Sequence, residues 1–468
     1  FKIFKFACFF KRIKSHIFMS KDIRIKKGLD IKLVGEAEQT TTEASVGGMY
    51  AIKPENFHGI IPKILAKVGA EVKAGETLFY SKSDARILFP SPVSGKIVEV
   101  IRGERRKVLE IRIEADAKQQ FADFGKKEAS KMSAEEVKTH LLSSGCWPFV
   151  KQRPYDVVAN PNQAPKAIFV SGYNSAPLAA DLDYALKGKE AEIQEAIIAL
   201  GKLTEGKVHV SISKDSTLSP FKGAKGAELH NLVGPHPIGN VSTQIAKLDP
   251  INKGEVIWVV TAQDLVVIGE LLLTGKFNAK RTVALTGSQF SKPKYVTAYP
   301  GATISTVVKG NLNADNFRII SGNVLSGSQV SLEGALGYYD NQITAIPEGD
   351  DYELFGWNKP VFDKVSTTRA FTFSWLTPKK KYDLNTNTNG EHRAFVVTGS
   401  YEEVFPLDIY PMQLLKACMY KDLDELEALG AYEIAPEDFA LTEFVCVSKQ
   451  PHQKIIREGL DLMREELG

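Results

Sequence analysis

The chain has 468 residues, more than one ordinary hydrophobic core accommodates, so two to four domains are expected. Hydrophobic residues make up 43% and charged residues 25% of the sequence, a composition typical of a folded globular protein. The 59 Lys and Arg residues nearly balance the 56 Asp and Glu residues, and the resulting net charge of +3 gives no electrostatic reason to expect nucleic acid or an anionic membrane surface as partner.

Residues 1–18 are basic and aromatic, with the sequence FKIFKFACFFKRIKSHIF. Two interpretations are open. The segment is either an amphipathic helix that lies on a membrane surface or an upstream extension that precedes a natural start at Met19. We favour the extension and leave this segment out of the fold prediction.

The region from Gly69 to Glu114, together with the run just before it, has the pattern of a small β-sandwich, since short β-rich runs alternate with glycine-containing turns. The predicted strands are Ile64–Lys67, Thr77–Tyr80, Arg86–Phe89, Lys96–Ile101 and Val108–Ile113, and the turns contain Gly69, Gly75, Gly95 and Gly103. This layout resembles the biotinyl and lipoyl barrel-sandwich modules, which carry a prosthetic group on a lysine at a hairpin tip. Asp84 stands at the corresponding position, six residues before Pro90, and Lys82 is two residues out of register. We therefore expect a module for structure or docking.

The middle of the chain alternates strands and helices, which predicts a doubly wound, largely parallel sheet. A first helix over Ser133–Ser144 has Ser133 and Glu136 at the spacing of a capping box. The predicted strands are Lys166–Gly172, Lys207–Ser213, Glu255–Val260 and Arg281–Thr286, and the predicted helices are Ala191–Leu203 and Gln263–Thr274. The apolar stretch from Val256 to Thr274 contains Asp264 and Glu270, so it is predicted to be a buried strand and helix, with no membrane span.

Beyond Gly287 the pattern changes to short strands and turns, which predicts a β-grasp domain similar to the SLBB type. A strand over Tyr295–Tyr299, a helix start at Thr303 and the segment Arg318–Ser328 belong to it, and the pattern is helical beyond Pro411. The predicted division of the α/β multidomain chain is an extension over 1–18, a barrel-sandwich region over 19–116, a Rossmann-like domain over 117–288, the β-grasp domain over 289–384 and a mostly helical region over 385–468.

The search for chemical motifs gives no complete active site, and no catalytic, cofactor-binding or metal-ligating residue is predicted. Glycine loops at Gly223–Gly226, Gly234–Gly239 and Ser321–Ser328 match no phosphate-binding motif, and a turn role is favoured. His230 and His236 with Asp249 lack metal-ligand spacing, and His209 is interpreted as a packed or edge residue, so structural roles are favoured. The four cysteines are Cys8, Cys146, Cys418 and Cys446, which form no CxxC pair and are expected to be unpaired thiols.

Two aromatic segments have alternative interpretations. Tyr352, Phe355 and Trp357, near Tyr338 and Tyr339, have flat faces that suit a quinone, although packing is favoured for them. A strip near the C-terminus is either a docking surface or core, with neither alternative preferred. Its members are Tyr401, Val404, Phe405, Leu407, Ile409 and Tyr410, of which Tyr401, Phe405, Leu407 and Tyr410 are the docking candidates.

Six segments distributed along the chain resemble one family. They are IKKGLDI (Ile25–Ile31), SPVSGKIVEVIRG (Ser91–Gly103), GPHPIG (Gly234–Gly239), RIISGNVLSG (Arg318–Gly327), ELFGW (Glu353–Trp357) and TNTNGEHRAFVVTGSYEEVFPLDIYP (Thr386–Pro411). In this order they resemble the A subunit of the bacterial sodium-translocating NADH:quinone oxidoreductase (Na+-NQR), and the resemblance covers nearly everything from Met19 onward.

The resemblance implies a fold related to the flavin-bearing subunit of respiratory complex I. The glycine-rich loop that cradles the flavin in those relatives corresponds here to Ser144–Val150, where bulky residues stand, and the relatives' clustered cysteines are reduced to Cys418 and Cys446. The chain is thus expected to hold no redox group and to be non-catalytic on its own.

The resemblance also implies a peripheral subunit on the cytoplasmic side of the bacterial inner membrane. Its partners would be five further subunits, B to F, of a complex that uses NADH, flavins, iron–sulfur centres and ubiquinone or a related quinone to export sodium. The chain would reach the membrane only through these partners, and a contact with quinone is a further role that the resemblance allows. The alternative is a stand-alone, carrier-like module that binds a ligand and serves other redox enzymes.

Overall fold

The computed structural model describes residues 22–313, 315–349, 353–360, 364, 376 and 379–468. The described residues form a seven-stranded sheet, a six-stranded sheet, two smaller sheets of four and three strands, and a C-terminal group of helices. This arrangement confirms the predicted α/β multidomain fold class, with its barrel-sandwich, doubly wound, β-grasp and helical parts.

The two smaller sheets form the predicted barrel-sandwich. The four-stranded sheet has the order Gly48–Ile52, Val108–Ala115, Gly95–Arg102 and Glu71–Val72, and the three-stranded sheet has the order Pro62–Ile64, Thr77–Ser81 and Leu88–Pro90. The prediction of a turn at Gly95 was wrong, because this residue begins a strand. A Cβ atom there would lie 2.1 Å from the carbonyl oxygen of Glu114, so the close approach of the paired strand requires glycine.

The seven-stranded sheet is the predicted doubly wound sheet. Its order is Asp22–Arg24, Glu228–Val233, Val208–Ser213, Ala167–Ser171, Ile257–Thr261, Lys151–Arg153 and Val157–Val158, and its helices are Ala134–Ser143, Leu182–Ala185, Glu190–Gly201, Val241–Leu248 and Ala262–Thr274. The first five strands are parallel, and Lys151–Arg153 pairs antiparallel with both Ile257–Thr261 and Val157–Val158. Ser133 and Glu136 form the predicted capping box. Helices Glu190–Gly201 and Ala262–Thr274 touch at Gly269, where a Cβ would lie 1.9 Å from the Glu192 carbonyl oxygen.

The six-stranded sheet belongs to the predicted β-grasp part. Its order is Ser328–Val330, Phe317–Ser321, Gln342–Pro347, Arg281–Thr286, Lys294–Ala298 and Glu38–Glu43, with the short helix Ile304–Val308 beside it. The prediction that Arg281–Thr286 belongs to the doubly wound sheet was wrong, because this strand pairs with Gln342–Pro347 and Lys294–Ala298. An alternating pattern shows that a strand follows a helix, but it does not show which sheet that strand joins.

The C-terminal helices cover one face of the seven-stranded sheet. They are Ser400–Val404, Pro411–Tyr420, Leu423–Ala428, Ala440–Phe444 and His452–Leu467. Phe169 and Ile257 of the sheet share a buried core with Leu415, Phe439 and Ile456 of this region. The helical region is therefore packed on the sheet through a hydrophobic core that both of them form.

Candidate functional site

The loop that corresponds to a flavin cradle is packed inside the protein. Trp147 and Phe149 are fully buried, where Trp147 contacts Trp258 and Phe149 stacks on Phe277. The backbone N–H groups of Gly145, Cys146, Phe149 and Val150 all donate to carbonyl oxygens within residues 141–147. These donors are consequently used by the chain itself, and a phosphate would find no row of free N–H groups here.

The GPHPIG loop (Gly234–Gly239) is hydrogen-bonded to the IKKGLDI segment (Ile25–Ile31), and both segments belong to the set that resembles the family. The carbonyl oxygen of His236 accepts a hydrogen bond from the N–H of Leu29 at 2.8 Å, and the N–H of His236 donates to Asp30 at 2.9 Å. His236 Nδ1 lies 2.9 Å from the Ser175 hydroxyl, and burial lowers the pKa of His236 to about 4. The loop is a tightly hydrogen-bonded turn, in agreement with the turn role favoured from the sequence.

A cleft of about 460 Å³ opens at the carboxyl ends of strands Ala167–Ser171 and Val208–Ser213, the edge at which doubly wound sheets bind ligands. Asp181 and Asp183 line it, and Asp181 accepts hydrogen bonds from the N–H groups of Asp183 and Tyr184. The first helical turn beside the cleft is thus capped by a carboxylate of the chain. Two negative side chains at this point oppose the binding of a phosphate.

Three side chains with metal-binding chemistry meet on two neighbouring strands. His209 Nδ1 lies 3.0 Å from His230 Nε2 and 3.8 Å from a carboxylate oxygen of Glu228, and one ligand atom from each residue lies within 4.8 Å of the others. Burial lowers the pKa of His209, which favours the neutral imidazole. This cluster was missed from the sequence, where His230 was considered with His236 and Asp249.

Of the residues predicted to contact quinone, the structure describes the side chain of Phe355, and it also describes Tyr338 and Tyr339. Tyr338 and Tyr339 belong to an aromatic cluster with Phe57, and Tyr338 is buried, whereas Phe355 is 68% exposed. Tyr352 and the side chain of Trp357 lie outside the described residues. Phe355 is therefore the one member of the predicted set whose surroundings the structure gives.

The predicted docking strip is core except at one end. Tyr401, Phe405 and Leu407 are at most 4% exposed and pack with the C-terminal helices, whereas Tyr410 is 67% exposed. Phe405 packs against Phe439 with a ring distance of 4.9 Å. The docking interpretation was wrong for the three buried residues, because their side chains are used to hold the helical region together.

The barrel-sandwich hairpin tip carries no free lysine at the position of the prosthetic group. Arg86 Nη2 donates to Asp84 Oδ2 at 2.6 Å, and this pairing lowers the pKa of Asp84. The N–H of Arg86 donates to the other carboxylate oxygen at 3.0 Å. Asp84 therefore closes the turn on itself through Arg86, whereas a modified lysine would project from the turn.

Family models of known domains agree with this architecture. Three family models match the chain: an NqrA N-terminal barrel-sandwich hybrid domain over residues 23–116, an NqrA second alpha/beta domain over 132–277 and an NQRA C-terminal domain of the SLBB type over 282–331. The NAD+-reducing [NiFe]-hydrogenase in its air-oxidised state has a TM-score of 0.31 and 11% identity, covering 40% of this chain and 41% of that one.

Curated relatives match at full length. The A subunit of the Na(+)-translocating NADH-quinone reductase from Neisseria meningitidis serogroup A is 37% identical over 450 residues, and its counterpart in Yersinia pestis bv. Antiqua is 36% identical over 447 residues. Each match covers 95% of this chain and 100% of the relative. Within the part of the chain that the structure describes, no helix is both long and apolar enough to cross a membrane. The chain belongs to the NqrA family, the A subunits of the Na(+)-translocating NADH-quinone reductases.

Proposed function

We propose that this chain is a peripheral subunit of a membrane complex that reduces ubiquinone or a related quinone with NADH and exports Na+ from the cytoplasm. The observation that carries this proposal is the full-length similarity to the NqrA subunits of Na(+)-translocating NADH-quinone reductases. The protein lies on the cytoplasmic side of the inner membrane and is held there by the other five subunits, B to F.

The chain contributes no redox group to the complex and acts as a scaffold. The buried Trp147 and Phe149 and the internally bonded N–H groups of their loop support this role, since a flavin would need the same volume and the same donors. Cys146, Cys418 and Cys446 are buried thiols. Burial raises the pKa of Cys146 and of Cys418 to about 12 each, so both thiols are protonated at neutral pH and unreactive.

The barrel-sandwich offers a docking surface for the membrane subunits. Ile61 directly precedes the edge strand Pro62–Ile64, Leu65 and Val68 follow it, and the three residues are 64%, 51% and 63% exposed. Exposed apolar side chains favour a contact with another protein when they belong to one surface, and these three lie on the two sides of a single edge strand. With most of the C-terminal strip in the core, this edge is the better candidate for docking.

The proposal includes a contact between this chain and quinone at Phe355. Its ring and the neighbouring Leu354 are 68% and 85% exposed, so a flat apolar face is available to a ligand with an aromatic head group. Tyr352 and Trp357 complete the contact in this proposal. Cross-linking of the assembled complex with a photoreactive ubiquinone analogue tests it, since Phe355→Ala should reduce labelling of this chain while Leu218→Ala, at an 82% exposed site elsewhere, should not.

Co-purification tests the assembly. The complex is isolated in mild detergent from cells that express the wild-type chain, the double variant Ile61→Asp with Val68→Asp, or the control Leu218→Asp. Wild type and control should accompany the membrane subunits, and the double variant should not, although it remains folded by circular dichroism. If the wild-type chain itself purifies alone, the assembly is refuted in favour of the stand-alone, carrier-like module.

Absorption spectroscopy tests the scaffold role. The purified chain should show no flavin or iron–sulfur band beyond the ultraviolet absorption of its aromatic residues. Stoichiometric flavin released on denaturation would overturn this part of the proposal and leave the assembly untouched.

A further inference from the structure

The His209–Glu228–His230 cluster is placed by the register of two parallel strands. His209 lies opposite Glu228 in the pairing of Val208–Ser213 with Glu228–Val233. Glu228 and His230 are two residues apart, so their side chains point to the same face of the sheet. The fold thus fixes two imidazoles and one carboxylate on a rigid sheet, where a precise site is more easily held than on a loop.

The distances suit a metal ion. Zn2+ binds histidine nitrogen and carboxylate oxygen at about 2.0–2.2 Å, which puts two ligands of a tetrahedral site about 3.3 Å apart. The observed separations from His209 Nδ1, 3.0 Å to His230 Nε2 and 3.8 Å to Glu228 Oε2, lie on either side of this value. A competing explanation is one hydrogen bond between the two imidazoles, in which Glu228 would take no part.

The surroundings of the cluster match those of a ligand set. The second carboxylate oxygen of Glu228 is paired with Lys207 Nζ at 2.6 Å, so the oxygen nearer His209 is the one available to an ion. Ligating carboxylates are commonly held by such an outer partner. The ring of Phe169 covers His209 at 4.6 Å, whereas the side chain of Glu228 is 22% exposed and leaves access for the ion and for water.

We propose that His209 Nδ1, Glu228 Oε2 and His230 Nε2 bind a Zn2+ ion, with water in the fourth position. Two imidazoles and one carboxylate are ligands of the kind that Zn2+ takes in three-ligand sites. Zn2+ has no redox chemistry, so the site is compatible with a scaffold role. The ion ties together two neighbouring strands of the seven-stranded sheet, Val208–Ser213 and Glu228–Val233.

Metal titration of the tag-free, full-length chain tests this site. After chelator treatment, the chain should bind one Zn2+ per molecule and show a raised melting temperature. Glu228→Gln, a change at a partly exposed side chain, should weaken binding by more than the roughly 10- to 100-fold that loss of an outer partner costs. His209→Gln and His230→Gln should each abolish stoichiometric binding. His140→Gln, at an equally buried histidine in a helix, is the matched control and should leave binding unchanged.

Cobalt supplies a second readout. Co2+ in place of Zn2+ should give the intense visible bands of a four-coordinate ion in wild type and control, and these bands should disappear in Glu228→Gln. Since Glu228→Gln retains both imidazoles and is checked for folding by circular dichroism, a folding failure of the histidine variants leaves the test intact. Equal Zn2+ affinity in wild type and Glu228→Gln, or weak binding with the faint spectrum of six-coordinate Co2+, would show that the cluster is only a hydrogen-bonded histidine pair.

Discussion

Arg281 Nη2 donates a hydrogen bond to Asp264 Oδ1 over 3.0 Å, and both side chains are buried. Asp264 belongs to the helix Ala262–Thr274 on the seven-stranded sheet, whereas Arg281 begins the strand Arg281–Thr286 of the six-stranded sheet. Burial raises the pKa of Asp264, and the charge of Arg281 opposes this rise. The pair therefore joins the two large sheets at a position with little access to water.

Removal of the carboxylate should destabilise the protein strongly. Asp264→Asn leaves the guanidinium of Arg281 buried without a counter-ion, and we expect the free energy of unfolding to fall by about 3–5 kcal/mol. Urea denaturation followed by circular dichroism measures this change. Glu458→Gln is the control, because Glu458 pairs with Lys454 at 3.9 Å on the surface, where a pair contributes about 0–1 kcal/mol. Equal effects of the two variants would contradict a structural role for the buried pair.

A buried histidine should make the stability depend on pH. Burial lowers the pKa of His140 to about 4, whereas an unfolded chain has histidine near 6.5. Between these values the unfolded state binds more protons, so the free energy of unfolding decreases as the pH falls. In His140→Gln the slope of that free energy against pH should be smaller by up to about 1.4 kcal/mol per pH unit, mostly between about pH 5 and 6.

Urea titrations of both proteins at several pH values give this slope. The other buried groups, among them His236 and His452, titrate in both proteins and cancel in the comparison. Parallel curves for the two proteins would mean that folding does not lower the pKa of His140.

The local elements of the fold were predictable because their signals are short in sequence. The helix Ala134–Ser143 begins at Ser133 with its capping box, and the helix Ile304–Val308 begins after Thr303, both as predicted. Five of the seven strands of the barrel-sandwich were located to within a few residues, whereas Gly48–Ile52 and Glu71–Val72 were not predicted. In each of these cases the deciding interactions lie within about ten residues of one another.

Long-range pairing was not predictable. The strand Glu38–Glu43 joins the six-stranded sheet beside Lys294–Ala298, although about 250 residues separate the two in sequence. The same limit explains why the His209–Glu228–His230 cluster was missed. The sequence shows two side chains that can bind a metal, Glu228 and His230, two residues apart. Only the register of the neighbouring strands reveals that His209 lies beside them.

Phe405 and Tyr410, two residues of the predicted docking strip, differ in burial, so their replacement by alanine should change the free energy of unfolding by different amounts. Phe405 is 1% exposed, so Phe405→Ala should lower the free energy of unfolding by about 3–5 kcal/mol through loss of its contacts and the cavity left behind. Tyr410 is 67% exposed, and Tyr410→Ala should change this energy by less than about 0.5 kcal/mol. Thermal and urea denaturation of the two single variants give these values. A small loss of stability in Phe405→Ala would contradict the assignment of this residue to the core.

The hairpin tip of the barrel-sandwich should remain unmodified in the cell. Asp84 accepts hydrogen bonds from the side chain and the backbone N–H of Arg86, and Arg86 also donates to Asn162 at 2.6 Å, so the tip is tied to the body of the protein. A ligase that attaches biotin or lipoate needs a lysine on a projecting turn. Mass spectrometry of the chain from its native host should therefore find neither group.

The variant Asp84→Lys tests whether a lysine at this position is sufficient for attachment of lipoate to the hairpin tip. The new ammonium would face the guanidinium of Arg86 at the place where the carboxylate now lies, and like charges at this distance push the turn apart. We expect modification by a co-expressed lipoate ligase to remain inefficient, well below that of a natural lipoyl domain, and stability to decrease modestly. Asp84→Asn is the control, since it removes the ion pair without adding a lysine. A lipoyl or biotinyl adduct on Lys82 of the unmutated chain would overturn the structural role of this module, because the neighbouring lysine would then carry the prosthetic group.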